Sequence, residues 1–153
     1  MNMAKIKVYL DNCAYNRPFD DQTRIKIALE TEAKKYIQRL IEEKDIDLAY
    51  SYVNRLENDD NPFFTRKKTI NEFFKKAVLY IGSNHAETAE KRAVDIMKSG
   101  IQPRDALHIA CAIEGDCNYF ITTDNLLLRH KFDGIVVCSP VQFLDFYEEG
   151  KNG

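Results

Sequence analysis

Ile101-Gln102-Pro103-Arg104-Asp105-Ala106-Leu107-His108-Ile109-Ala110-Cys111-Ala112-Ile113-Glu114-Gly115-Asp116-Cys117-Asn118-Tyr119-Phe120-Ile121-Thr122-Thr123-Asp124 is one helix followed by one strand. Pro103 near the first helical position and Asp105 in the first turn are both helix-start signals. The helix is carried by Ala106, Leu107, Ile109, Ala110 and Ile113 and stops at Gly115. Residues 118–122 are β-branched and aromatic and read as a strand, which Thr123-Asp124-Asn125 ends.

The same alternation extends in both directions. Upstream, residues 5–10 (Lys-Ile-Lys-Val-Tyr-Leu) read as a strand that stops at Asp11-Asn12, and a loop follows through Arg17-Pro18 and Asp20-Asp21. From 22 to 43, Ile25, Leu29, Ala33, Tyr36, Ile37, Leu40 and Ile41 recur at three and four and predict one apolar helix face. Residues 46–52 read as a second strand, and 53–58 as the start of a helix carrying Glu57. Asn58-Asp59-Asp60-Asn61-Pro62 breaks the pattern, and helical stretches follow over about 63–80 and 85–98, with Gly100 suited to a left-handed C-cap. Downstream, 126–129 reads as a short helix, 135–138 as a fourth strand, and a last helix runs from Pro140 to about Glu149. Strands alternating with helices predict an α/β fold: a three-layer α/β/α sandwich with a mostly parallel central sheet. One domain is expected over 1–149, with 150–153 as a frayed tail.

Composition narrows the function. A net charge of −2 argues against a general polyanion binder, so any nucleic-acid affinity must come from local patches. No apolar run is long enough to span a membrane, and the N-terminal run is too short and charged for a signal peptide, so the expected location is cytoplasmic. Cys13, Cys111, Cys117 and Cys138 lack any zinc or C-x-x-C spacing and read as reduced thiols.

Parallel α/β sheets collect ligands at the carboxyl ends of their strands. Asp11 follows the first strand, Asp124 the third, Glu57 lies a few residues past the second, and Asp105 opens a helix. With adjacent parallel strands, all four acids converge on one edge. Converged carboxylates repel one another, and a hard divalent cation removes that penalty. Oxygen-only ligands select Mg²⁺ or Mn²⁺, which activates water near neutral pH and stabilises charge on a phosphodiester oxygen. Each acid alone also has an ordinary reading, as a turn former, N-cap or solvated helix residue.

Val8-Tyr9-Leu10-Asp11, Ser51 with Glu57 six positions later, Arg104-Asp105-Ala106-Leu107-His108-Ile109-Ala110 and Ile121-Thr122-Thr123-Asp124 together resemble the PIN domain family, in its VapC-like form. The resemblance covers essentially the whole chain. It implies a PIN-like sandwich and a Mg²⁺- or Mn²⁺-dependent ribonuclease that hydrolyses single-stranded RNA with metal-activated water. It also implies a toxin of a toxin–antitoxin pair with an antitoxin partner, often as a homodimer. By motif, Asp11, Glu57, Asp105 and Asp124 match the family's four catalytic, metal-holding acids. Asn12-Cys13 departs from the small hydroxyl residue that many members carry after the first acid.

Around these acids, Asn12, Tyr15, Asn16, Arg17, Arg104 and Asn125 are candidate substrate contacts. Tyr15 and Phe19 are of a type that stacks on unpaired bases. His108 reads as a core or supporting histidine, because its helix is otherwise apolar on that side. Two alternatives stand beside the nuclease: a non-catalytic PIN-like module that binds RNA or protein, and a phosphatase or phospho-acceptor domain. The last would need Asp-x-Asp after the first strand, where this chain has Asp11-Asn12-Cys13.

Overall fold

The computed structural model describes residues 5–152. Its centre is β1 (Lys7–Leu10), from which the chain passes through α1 (Asn12–Asn16), a 3₁₀ turn at Arg17–Phe19 and α2 (Ile25–Glu42) to β2 (Asp47–Ser51). Then come α3 (Tyr52–Asp59), α4 (Phe64–Phe74), β3 (Leu79–Ile81), a 3₁₀ turn at Ser83–His85, α5 (Ala86–Met97) and α6 (Pro103–Glu114). The chain ends with β4 (Tyr119–Ile121), α7 (Asn125–Leu128), β5 (Val136–Cys138) and α8 (Pro140–Asn152). The five strands form one sheet in the order β3-β2-β1-β4-β5, and every neighbouring pair is parallel. The expected α/β architecture is therefore present.

Side-chain alternation along the strands divides the core in two. Tyr9, Ala49, Ile81 and Phe120 face α5 and α6, whose Ala89, Ala93, Ala106 and Ala110 are small enough for close approach to the sheet. Val8, Leu10, Leu48, Ile121 and Cys138 face the other way, onto Ile37, Leu40 and Ile41 of α2, Phe73 and Phe74 of α4 and Phe143 of α8. Parallel strands covered on both faces must be apolar on both, which is why Val8, Tyr9 and Leu10 are all fully buried.

The strand order matters for function. The chain builds outward from β1 to β2 and β3, then returns to lay β4 on the other side of β1. Between β1 and β4 the order reverses, and the crevice beyond the carboxyl ends of such a pair is where α/β sheets bind ligands. Asp11 and Asp124 stand at that crevice.

Several local expectations are corrected. The stretch 63–80 is not one helix: α4 ends at Phe74, and Leu79–Ile81 is a fifth strand paired with β2. Three residues are too few to show a strand period. Asp11 is followed at once by α1 rather than a loop, because Asp11 takes an extended backbone and Asn12 starts the helix. On α2, Ile25, Leu29 and Tyr36 are exposed instead of joining the core face, while Glu30, Thr31 and Lys34 are buried. The true face is set by what packs against α2. The last helix runs on to Asn152, past the expected end at Glu149, and Gly153 lies outside the described residues. Gly100 does take the left-handed conformation (φ 90°) expected after α5. None of the described helices is long and apolar enough to cross a membrane.

Candidate functional site

Asp11 ends β1 with its amide still in the sheet, donating to the Ile121 carbonyl of β4 at 2.9 Å. This bond ties the first acid to the strand that delivers Asp124. Asp11 is 6 % exposed. Its Oδ2 accepts from the Thr122 hydroxyl at 2.8 Å and from the Cys13 thiol at 3.4 Å. Cys13 thus occupies the position after the first acid with a weak donor, and burial, reinforced by the Asp11 charge, pushes its thiol up to about 12. Thr122 is wholly buried and also accepts from the Asp124 amide at 3.1 Å, so one hydroxyl holds both acids. Asp124 caps α7, its Oδ1 accepting from the Leu126 amide at 2.8 Å.

Glu57 reaches the site from the last turn of α3. That helix starts with a capping box, in which Ser51 accepts from the Val53 and Asn54 amides and the Asn54 side chain accepts from Ser51 N–H. Asn54 is wholly buried and also donates to the Leu10 carbonyl and to Asn12 Oδ1, which clamps α3 against the end of β1. The Glu57 carboxylate meets His108 of α6, with Oε1 at 2.8 Å from Nε2. Burial works to lower the His108 pKa. The hydrogen bond to Glu57 and the charges of Asp11, Glu57 and Asp105 outweigh it, and the imidazole lies above its ordinary value.

Asp105, in the first turn of α6, reports how close the acids are. Its carboxyl is raised from 3.8 to about 6, first by burial and then by the charges of Asp11 and Asp124; His108 pulls it back slightly, and Glu57 raises it further. The other three acids of the sequence reading, Asp11, Asp124 and Glu57, therefore all act on the Asp105 carboxyl, as like charges sharing a site do.

The hydrogen bonds leave a consistent remainder. One oxygen each of Asp11, Glu57 and Asp124 is held by a protein donor. Among the described residues, the second oxygen of each, and both oxygens of Asp105, have no protein donor. Ligand atoms of Asp11, Glu57 and His108 lie within 4.8 Å of one another. Free, anchored and mutually repelling oxygens are the donor chemistry that a hard divalent cation takes, so the residues fit such an ion.

The candidate substrate contacts divide. Tyr15 is a correction: it is 1 % exposed and its ring packs edge-on against Phe73 and Phe74, so it cannot stack on a base. Asn12 is another. It is buried, with its amide spent on the Asn54 carbonyl and its oxygen on Asn54 Nδ2, so it is an internal strut. Asn16 braces α1, donating to the Asn12 carbonyl and accepting from Asn61. Arg17 is turned toward α2, paired with Glu30 and Asp20 at 3.0 Å each. Phe19 lies under the Arg66 guanidinium, whose carbon is 5.6 Å from the ring centre. Arg104 remains available, with a 59 % exposed side chain 4.0 Å from Glu57. Asn125 is exposed beside Asp124 and accepts from Lys26 at 2.7 Å.

The sequence reading gives Thr122, Ser51 and Tyr9 no role in the site beyond their place in the motifs, and leaves His108 open between a core and a supporting histidine; the structure makes it the partner of Glu57. The signal for Thr122 was present, since a hydroxyl two residues before Asp124 at the end of a parallel strand points toward its neighbour. Tyr9 carried none, because an aromatic in a strand reads as core.

No family model matches this chain, and no curated protein matches it. Among solved structures, the chain is similar to a chain in the crystal structure of VapBC2 from Rickettsia felis bound to a DNA fragment from their promoter. The TM-score is 0.53 at 12 % identity, covering 86 % of this chain and 97 % of that one. At that identity the likeness speaks for the fold, and it spans nearly the whole length of both chains.

Proposed function

We propose that this protein is a Mg²⁺- or Mn²⁺-dependent endoribonuclease of PIN type, acting on single-stranded RNA. The observation that carries the reading is the acidic cluster at the β1–β4 crevice, where ligand atoms of Asp11, Glu57 and His108 lie within 4.8 Å of one another; the raised Asp105 carboxyl, which feels Asp11, Asp124 and Glu57, supports adding Asp105 and Asp124 to it. The cation would be held by these four acids. When bound, it supplies a Lewis acid for the phosphodiester and a positive charge that cancels the acids' repulsion. The chain's own part is orientation. Thr122 and Cys13 fix Asp11, His108 fixes Glu57, and the α7 amide fixes Asp124, each leaving one oxygen directed to other partners. Arg104, exposed at the rim, is placed to meet a phosphate.

The fold-level likeness to a VapBC2 chain supports extending the reading to the toxin of a toxin–antitoxin pair, with an antitoxin as protein partner. The exposed apolar residues Ile25 and Leu29 on α2 support an assembly surface, and the assignment includes a homodimer. The decisive experiment incubates purified protein with single-stranded RNAs and Mn²⁺. Cleavage should occur, stop with EDTA, and be absent in a folded Asp11→Asn variant. Intact RNA with every metal tried, or equal cleavage by Asp11→Asn, would reject the assignment. Light scattering of wild type against Ile25→Lys/Leu29→Lys tests the dimer separately.

A further inference from the structure

A chain of hydrogen bonds runs from the floor of the sheet through Ser51 and Tyr9, which the proposed reaction does not otherwise use, to His108 and so to Glu57. Ser51 Oγ lies 2.6 Å from the Tyr9 hydroxyl, which lies 2.6 Å from His108 Nδ1, and His108 Nε2 lies 2.8 Å from Glu57 Oε1. Ser51, Tyr9 and His108 are all 0 % exposed. Buried polar groups in so dry a place are retained only when each is satisfied.

The direction of the chain follows from its start. Ser51 Oγ already accepts from two backbone amides, those of Val53 at 3.2 Å and Asn54 at 3.4 Å. Both its lone pairs are engaged, so its own proton goes to the Tyr9 oxygen. Tyr9 then has its proton to give, and His108 Nδ1 accepts it. An imidazole that accepts at Nδ1 carries its proton at Nε2, and that proton points at Glu57. An Nε2 that is donating a hydrogen bond has no lone pair for a metal.

We infer that His108 is a positioning residue: held as the Nε2–H form by Tyr9 and Ser51, it fixes one oxygen of Glu57 so that the other faces the cation, and does not itself bind the ion. This inference rests on the metal-dependent reading above and adds to it a division of labour between Glu57 and His108, whose ligand atoms are both close enough to Asp11 for either to bind. Tyr9 is suited to the task because its ring is locked between Phe120, stacked at 5.3 Å, and the edge of His108 at 5.7 Å.

The test uses the full chain labelled with ¹⁵N-histidine, in which only His85, His108 and His130 contribute. Long-range ¹H–¹⁵N spectra at pH 8 should show a proton on His108 Nε2 both in EDTA and in saturating Mg²⁺. Loss of that proton on adding Mg²⁺, or a neutral ring protonated at Nδ1 alone, would overturn the inference. In parallel, Mn²⁺ midpoints from thermal shift are measured for wild type, Tyr9→Phe, Glu57→Gln and the double variant. Tyr9→Phe keeps the ring and should weaken Mn²⁺ binding by about tenfold. The same substitution should have no further effect in the Glu57→Gln background. An unchanged midpoint in Tyr9→Phe, or the same factor in both backgrounds, would reduce the chain to a structural contact. A wild type that shows no Mn²⁺ response at all removes the metal reading and this inference together, an outcome distinct from the others. The spectrum of the wild type decides the matter even if Tyr9→Phe folds poorly.

Discussion

Replacing Asp105 by Asn should make the metal-free protein more stable, although it removes a residue of the proposed active site. The Asp105 carboxyl is raised from 3.8 to about 6 by burial and by Asp11, Asp124 and Glu57. A raised acid opposes folding once ionised. Below 3.8 the carboxyl is protonated in both states and the penalty is absent; it grows as pH rises toward 6 and is complete above that. A carboxyl raised from 3.8 to about 6 corresponds to about 3 kcal/mol in a dry site, and solvent screening of this partly exposed group reduces it to about 1 kcal/mol. The amide of the Asp105→Asn variant carries no charge, so in EDTA at pH 8 the variant should melt about 2–4 °C above wild type, the response of a chain of this size to about 1 kcal/mol. The gap should close as pH is lowered from 8 through 6 toward 4. Adding Mn²⁺ should reverse the order, because wild type gains more from the ion than a variant with one fewer carboxylate. The measurement is thermal unfolding followed by circular dichroism across that pH range, with EDTA and with Mn²⁺. A variant less stable than wild type in EDTA at pH 8, or a gap that does not change with pH, would refute the claim that the four acids repel one another.

Other expectations follow from single contacts. Thr122→Val keeps shape but removes the donor to Asp11 Oδ2, and Mn²⁺ affinity in a thermal-shift titration should fall about tenfold with the fold retained; equal affinity would mean that Asp11 is held without it. Asn54→Ala deletes the clamp between α3, Leu10 and Asn12 and leaves buried partners unmet, so urea denaturation should show a loss of about 2–4 kcal/mol. A loss under about 1 kcal/mol would show that water replaces the clamp. Cys13, Cys111, Cys117 and Cys138 are each pushed up to about 12 chiefly by burial, so the folded protein should resist iodoacetamide at pH 8 and label fully in urea, as read by intact mass. Rapid modification of the native protein would contradict that environment.

Much of this molecule is decided by local pattern. The run through Val8, Tyr9 and Leu10 and the run through Tyr119, Phe120 and Ile121 are strands because β-branched and aromatic side chains suit a sheet buried on both faces. The acids that end them, Asp11 and Asp124, are placed by chain order alone once the strands are parallel neighbours. Pro103 and Asp105 start α6 for reasons contained within one turn of helix. The α/β architecture and the four candidate acids were therefore open to inspection in the sequence. What it did not contain is whatever depends on the neighbour across a gap. Leu79–Ile81 becomes a strand because β2 offers it an edge. Ile25 and Leu29 share a helical period with the core residues of α2, yet none of the described residues covers them, and Lys34 is buried in their stead. Tyr15 sits between two polar stretches but is enclosed by Phe73 and Phe74 from a helix about sixty residues away. His108, on an otherwise apolar helix face, reads in the sequence as either a core or a supporting histidine. Only the packing of α6 against β1 and α3 puts its two nitrogens between Tyr9 and Glu57. Periodicity tells a residue which way to point along its own element, and tertiary structure decides what it meets there.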